Sequence, residues 1–293
     1  MLIATLIAAD QLQKGELSSA ADRLTEAGGK ISRIGDVIDG KAADIFLEGD
    51  LANLRDALPI DGEATDLVVQ PSENREKKLL ISDMDSTMIT VECIDELAGY
   101  AGIKDQIAEI TERAMLGELD FEEALRGRVA LLAGLDISAI DRCLAEKVET
   151  MPGAETLVKT MAARGTKTIL VSGGFTRFAD PVARKLGFSV VEANILAEAD
   201  GILTGKLTGA IVDAQRKAEL LKQSAKSAGL SLDQCMAVGD GANDIPMIAL
   251  AGMGVAYHAK PKAAQAADAA IKHNDLRALL YMQGIGSKHW VND

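Results

Sequence analysis

The sequence predicts an α/β protein with a parallel sheet at its core, a helical insertion beside it and a smaller α+β unit in front. Three observations carry this reading. Continuous runs of Val, Ile and Leu recur in KKLLISDMD at 77–85, TKTILVSGG at 166–174 and CMAVGDGAND at 235–244, each ending in a polar cluster. Such runs, alternating with helical stretches, mark strands buried on both faces. Residues 86–165 hold several helical patterns, among them IKDQIAEITERAM and DFEEALRGRVALLAG, a stretch too long for one crossover helix. A polar run, QPSENREKK at 70–78, separates this region from an earlier one with its own strand and helix pattern.

In chain order, LIATLIA reads as a strand and LSSAADRLTEAG as a helix, with Leu17, Ala20, Ala21 and Leu24 at helical spacing. KISRIGDVI, a DGK turn and ADIFLEG suggest a hairpin. LANLRDAL and TDLVVQ supply a last helix and strand. The order βαββαβ is a ferredoxin-like split, so residues 1–75 resemble an ACT regulatory domain, a candidate regulatory or homodimerising module. Residues 76–293 form the second unit, with a Rossmann-like sheet and a helical cap over about 90–150. Residues 190–212 hold only a short strand–turn–strand pattern.

Composition limits the function classes. Forty-four acidic against thirty-one basic residues give a formal charge of −13, which argues against nucleic acid, whose phosphates demand basic patches. An anionic small molecule stays open, because a bound cation can invert a local field. Cys93, Cys143 and Cys235 include no C-x-x-C pair, so neither a disulfide framework nor a Cys-based zinc site is expected. The opening MLIATLIAAD lacks a basic n-region and reads as a strand, not a signal peptide. No apolar run reaches the ~18 residues of a spanning helix, so no membrane association and a cytoplasmic location are expected. His258, His273 and His289 lack metal-ligand spacing, and Trp290 reads as a packing anchor.

In open parallel sheets ligands bind at the carboxyl ends of the strands, so the polar clusters can converge on one pocket. Asp83 and Asp85 close the first run, where the chain leaves the strand and both carboxylates can turn towards that pocket. Two acids this close demand a cation, and a hard Mg2+ ion with few carboxylate ligands meets the demand. One Asp can attack phosphorus while the other handles protons. Ser172, Gly173 and Gly174 offer a hydroxyl and backbone N–H groups as an anion nest. Lys217, in the helix-like AQRKAELLK, can neutralise a phosphate. In G-D-G-A-N-D at 239–244, small residues let the backbone approach a ligand, and Asp240 and Asp244 are spaced to face one metal. Arg128 falls on a helical stripe with Phe121, Leu125 and Leu132, so its guanidinium faces the apolar side and needs an anionic partner.

D-x-D-x-T, S-G-G, K and G-D-G-x-N-D, in this order over residues 77–285, resemble the four motifs of haloacid-dehalogenase-type phosphatases. D-M-D-S-T, V-S-G-G-F, V-G-D-G-A-N-D and the cap after the first motif are most similar to the branch whose members act on phosphoserine. The resemblance implies Asp83 as nucleophile and Asp85 as general acid, then base. It implies Mg2+ held by Asp83, the backbone carbonyl of Asp85 and Asp240, with Asp244 supporting that sphere. Ser172, Gly173, Lys217 and Asn243 would bind the phosphoryl group. Glu92 and Arg128 would hold the ammonium and carboxylate of serine. The activity so implied is hydrolysis of O-phosphoserine to serine and phosphate through an aspartyl-phosphate, the last step of serine biosynthesis.

The alternatives are the same chemistry on another small phosphoester, and a non-catalytic amino-acid sensor. The intact acids Asp83, Asp85, Asp240 and Asp244 speak against the sensor. An ion-pumping ATPase is excluded because no spanning segment is present. Since every candidate catalytic residue follows residue 78, the N-terminal unit is expected to be dispensable for chemistry.

Overall fold

The computed structural model describes residues 1–56, 64–115 and 118–291. The first unit runs β1 (Leu2–Ala8), α1 (Lys14–Glu26), β2 (Lys30–Ile34), β3 (Ala42–Glu48), α2 (Leu51–Asp56) and β4 (Thr65–Pro71). The last two residues of the expected helix LANLRDAL lie outside the described residues. The strands form an antiparallel sheet in the order β2-β3-β1-β4, the arrangement expected of a βαββαβ chain. Alternate side chains point to opposite faces of a strand, and here both faces are covered. Ala4, Leu6, Ile45, Leu47, Leu67 and Val69 pack with Ala20 and Leu24 of α1. Ile7, Ala42 and Val68 point the other way, into the hydrophobic core of the larger unit.

The polar run at 70–78 is a docked strap. Arg75 donates from Nη1 to Asp44 Oδ2 at 2.8 Å and from Nε to the carbonyl of Met282 at 2.9 Å. Gln70 donates to the same carbonyl. Its composition reads as linker because the partners of these side chains lie far away in sequence.

The second unit begins with β5 (Leu79–Ser82). A cap follows, comprising α3 (Cys93–Ala101), α4 (Lys104–Met115), α5 (Phe121–Ala130) and α6 (Ser138–Lys147). The chain then returns through α7 (Ala154–Ala163), β6 (Lys167–Phe175), α8 (Thr176–Leu186), β7 (Val190–Ala199), β8 (Ile202–Thr208), α9 (Ala214–Ser227), β9 (Cys235–Gly239) and α10 (Ile245–Leu250). β10 (Met253–Tyr257), α11 (Pro261–Ala266), β11 (Ala269–Ile271) and α12 (Ala278–Tyr281) complete it. The sheet order is β11-β10-β9-β5-β6-β7-β8, parallel except where β8 returns beside β7 as a hairpin.

The three apolar runs therefore lie side by side, with β5 between β9 and β6. Leu80, Leu170, Met236 and Val238 belong to the core on one face, Leu79, Ile81, Ile169, Val171 and Ala237 to the core on the other. Burial on both faces explains why these strands read as continuous apolar runs without alternation. Each such Leu or Ile side chain contributes about 1.5–3 kcal/mol through burial.

Two chain segments join the cap to the sheet, and they meet where Ile89 bridges Thr150. Asp120 caps α5, its carboxylate accepting from the N–H of Glu123 at 2.8 Å. The far side of the cap is tied to the β7–β8 hairpin, Gly134 N–H donating to the carbonyl of Leu203 at 2.8 Å. Among the described residues no helix is long and apolar enough to cross a membrane. Trp290 packs edge-on against Tyr281, as a packing anchor would.

Candidate active site

The first two residues of the site are fixed by the end of β5. The N–H of Asp83 donates to the carbonyl of Val238 on β9, continuing the ladder one residue past the strand. Its carboxylate then turns back, Oδ1 accepting from the N–H of Met84 at 2.7 Å. Ser86 takes a left-handed backbone at φ +54°, which reverses the chain. Asp85 consequently faces the same cleft, its Oδ1 accepting from the N–H of Cys93 at the start of α3. Burial, and the negative charge of Glu92, push its carboxyl up to about 7.

The second cluster lies within β6, not after it. Pairing with β7 shifts register between Ser172 and Phe175, and this bulge throws Gly173 and Gly174 towards the cleft. Ser172 Oγ accepts from the N–H of Gly174 at 2.8 Å and approaches Asp85 Oδ2 at 3.5 Å. A Cβ on Gly174 would stand 2.9 Å from Asp85 Oδ2, so no side chain fits there. Asn194 was missed by sequence reasoning. From β7 its amide donates to the carbonyl of Gly173 and accepts from the N–H of Val212, bracing the bulge from behind.

Lys217 sits in the first turn of α9, whose N-cap is Asp213. It is fully buried, and its ammonium lies 2.8 Å from Asp83 Oδ2 and 2.7 Å from Asp244 Oδ1. Burial alone pulls such a group down; the two carboxylates outweigh it and hold the ammonium above its ordinary value. Asp244 is oriented further by the N–H of Gly241, which donates to Oδ2 at 3.1 Å.

Asp240 follows β9, and burial together with the charge of Asp83 pushes it up to about 6. Thr87 Oγ1 approaches Asp240 Oδ1 at 3.5 Å, and the N–H of Lys260 donates to the Asp240 carbonyl at 3.0 Å. Asn243 Nδ2 points at Asp83 Oδ2 from 3.4 Å. Thr87 is the closing residue of the D-x-D-x-T motif, whereas Lys260 carried no signal of its own in sequence.

Carboxylate oxygens of Asp83, Asp240 and Asp244 all lie within 4.8 Å of one another. Repulsion among buried acids at this spacing is the arrangement a hard divalent cation relieves, so the donor set fits Mg2+. The carboxylate of Asp85 is outside this cluster and is left free for other work.

Over these groups lies a cavity of about 270 Å³, lined on its cap side by Glu92, Phe121 and Arg128. Glu92, at the N-cap of α3, accepts from Ser86 Oγ at 2.7 Å. Arg128 donates from Nε to the carbonyl of Ala124 one turn back, at 3.3 Å. Among the described residues no carboxylate lies within 4 Å of its guanidinium, and burial pulls its pKa down. The charges of Asp95 and Glu92 act on it from a distance, and among the described residues it makes no ion pair. Every residue singled out at the strand ends converges here, and His258, His273 and His289 do not.

A parallel sheet whose strand tips gather acids around one buried lysine, under an inserted helical cap, defines a hydrolase of small phosphoesters. Residues 77–252 match the haloacid dehalogenase-like hydrolase family, and the chain belongs to that family. It is 43% identical over 275 residues to a phosphoserine phosphatase of Streptomyces coelicolor, spanning 92% of this chain and 67% of that protein. A phosphoserine phosphatase of Saccharomyces cerevisiae is 38% identical, with 94% and 93% covered. The crystal structure of a probable phosphoserine phosphatase from Vibrio cholerae superposes with a TM-score of 0.78 at 34% identity, covering 96% of this chain and 86% of that one.

Proposed function

We propose that the chain is a Mg2+-dependent phosphatase that hydrolyses O-phosphoserine to serine and phosphate. The observation that carries the substrate is the guanidinium of Arg128, which makes no ion pair among the described residues and is held in the cap above the acids of the sheet. A carboxylate matches its planar fork. Glu92, on the same rim, suits an ammonium. A small phosphoester bearing both groups spans the cavity from cap to sheet, and the names of the relatives agree with phosphoserine.

In this reading Asp83 attacks phosphorus through a carboxylate oxygen. The bond from phosphorus to the serine oxygen breaks, and Asp85 gives that oxygen its proton. Asp85, now a carboxylate, takes a proton from water, whose oxygen attacks phosphorus. The aspartyl–phosphorus bond breaks and phosphate leaves. Asp85 suits both halves because its carboxyl is pushed up to about 7, near the working pH of a general acid and base. Mg2+, held by Asp83, Asp240 and the backbone carbonyl of Asp85 with Asp244 behind them, would supply charge neutralisation at the phosphoryl oxygens. Lys217, Ser172, Gly173 and Asn243 bind the same oxygens and keep the group in line. The buried, unpaired Cys93, Cys143 and Cys235 support a reducing, cytoplasmic setting.

The test is phosphate release from phosphoserine, phosphothreonine, phosphoglycolate and nucleotides with Mg2+. Phosphoserine should be preferred at least about tenfold over phosphoglycolate and nucleotides, which lack one or both of its charged ends, the discrimination expected when a buried charged partner is lost. Equal rates across the set would remove the substrate assignment and leave the hydrolase class.

A further inference from the structure

Among the described residues the N-terminal unit makes no hydrogen bond to a group named in the mechanism, yet a route of hydrogen bonds and one short stretch of backbone leads from it to Asp240. It starts at Asp66 on β4, a carboxylate only 3% exposed. Asp66 accepts from the backbone N–H groups of Lys272 at 2.8 Å and His273 at 3.2 Å. It also accepts from Asn274, through the backbone N–H at 3.1 Å and the side-chain Nδ2 at 2.9 Å. Asn274 Nδ2 donates as well to the carbonyl of Ile7, which pairs with Asp66 across β1 and β4. Two strands of the first sheet thus grip the loop that follows β11.

The loop passes the constraint on. The carbonyl of Asn274 lies 2.9 Å from His258 Nε2, and since a carbonyl only accepts, that nitrogen carries the proton. His258, directly after β10, has φ +44°, a left-handed backbone that a residue with a side chain keeps only when its surroundings hold it. Its own N–H donates to the carbonyl of Ile271 at 2.9 Å. Two residues on, the N–H of Lys260 donates to the carbonyl of Asp240. The strained turn at His258 therefore sets the position of the peptide that anchors Asp240.

We propose that Asp66 is a positioning residue for the metal site: through Asn274, His258 and Lys260 it fixes the backbone of Asp240, so the N-terminal unit is a working part of the active centre. The inference rests on the proposed assignment of Asp240 as a Mg2+ ligand, and it opposes the expectation that residues 1–75 are dispensable for chemistry. Buried carboxylates with several backbone donors also serve purely structural ends, so the test must separate position from stability.

Mg2+ binding to the full chain without substrate, by calorimetry or by competition with Mn2+ in electron paramagnetic resonance, provides a readout independent of turnover. Asp66→Asn keeps the shape but opposes a second donor to the loop's N–H groups. It should weaken Mg2+ binding by about three- to tenfold, at or below the usual loss when an outer partner of a metal ligand is removed. KM for phosphoserine should stay within about twofold, because Glu92 and Arg128 are untouched. His258→Gly relaxes the left-handed turn and removes the ring; it should reproduce the loss, and it carries the test if Asp66→Asn does not fold. Arg75→Ala is the control, since it cuts the other clasp to the first sheet without touching this route. It should lower the melting temperature and leave Mg2+ affinity unchanged. Unchanged Mg2+ affinity in Asp66→Asn and His258→Gly would overturn the proposal, as would an equal loss in Arg75→Ala. A chain that binds Mg2+ but ignores phosphoserine would refute the substrate reading and leave this one standing.

Discussion

The ammonium of Lys217 and Oδ2 of Asp83 lie 2.8 Å apart, with both side chains almost wholly withdrawn from solvent. A pair at this depth is balanced only while both partners are present. Lys217→Ala should lower stability by about 3 kcal/mol, because removing one partner strands a buried charge. Phosphate release should fall at least about a hundredfold, the scale of losing one preorganised electrostatic contact. Thermal unfolding and single-turnover phosphate release check the two effects. A stable variant with near-normal turnover would place Lys217 outside the chemistry.

Asp83→Asn preserves the acceptor that Met84 N–H uses but removes the proposed nucleophile. Turnover should fall by at least about a thousandfold. Melting should drop by less than in Lys217→Ala, because Lys217 keeps Asp244 as a partner at 2.7 Å. Trapping with beryllium fluoride should be lost with turnover. A folded Asp83→Asn protein that still releases phosphate would shift the nucleophilic role to another residue.

Arg128→Ala separates substrate from chemistry. Phosphoserine kcat/KM should fall roughly tenfold to several hundredfold, the cost of leaving a charged group without its partner. A generic aryl phosphate, which offers no carboxylate, should be hardly affected. Equal losses on both would mean that Arg128 supports the fold or the phosphoryl site.

Protons and Mg2+ should compete at the acid cluster. Burial and the charge of Asp83 push Asp240 up to about 6 and raise Asp244 as well. The folded state then binds protons more tightly than the unfolded chain. Stability without metal must therefore decline as pH rises from about 4 to about 7, where the unfolded chain is already ionised. A cation that replaces those protons helps most where they have left. Mg2+ should raise the melting temperature more at about pH 8 than at about pH 5. The same increment at both values would count against a cation site among these acids.

Gly239 ends β9 where any Cβ would overlap the carboxyl of Asp244. Gly239→Ala must displace either the strand or that carboxylate. An overpacking cost of about 1–3 kcal/mol is expected. Loss of Mg2+ binding should accompany it, read by calorimetry on the folded fraction. Full Mg2+ affinity in this variant would mean that Asp244 has no part in holding the site.

The parts of this fold legible in sequence are those whose signal is local. Ile81, Val171 and Val238 sit in unbroken apolar runs because both faces of their strands are covered, and Asp83 and Asp240 follow directly where those runs stop. Arg128 was legible for a similar reason, as a cation on the apolar side of a helical stripe. Asn194 was not: an amide inside EANIL has nothing to mark it until β7 lies beside the Ser172 bulge. That bulge was itself hidden, because Ser-Gly-Gly reads as the end of a strand when the partner register is unknown. The strap at 70–78 looked like linker for want of any sign of Asp44 or Met282. Lys260 shares this character, since it is defined by the Asp240 carbonyl it meets across the fold.

The grip of Asp66 on Asn274 joins positions 208 residues apart. During synthesis the first sheet is therefore complete long before the loop it holds has been made. Through that interval Ile7, Ala42 and Val68 have no core to face, and the carboxylate of Asp66 keeps its water. A ribosome-bound chain arrested before residue 272 should be cut readily by protease on β4, and release of the full chain should abolish that cutting. The hold of Asp66 on the loop at 272–274 can therefore form only after those residues have left the ribosome.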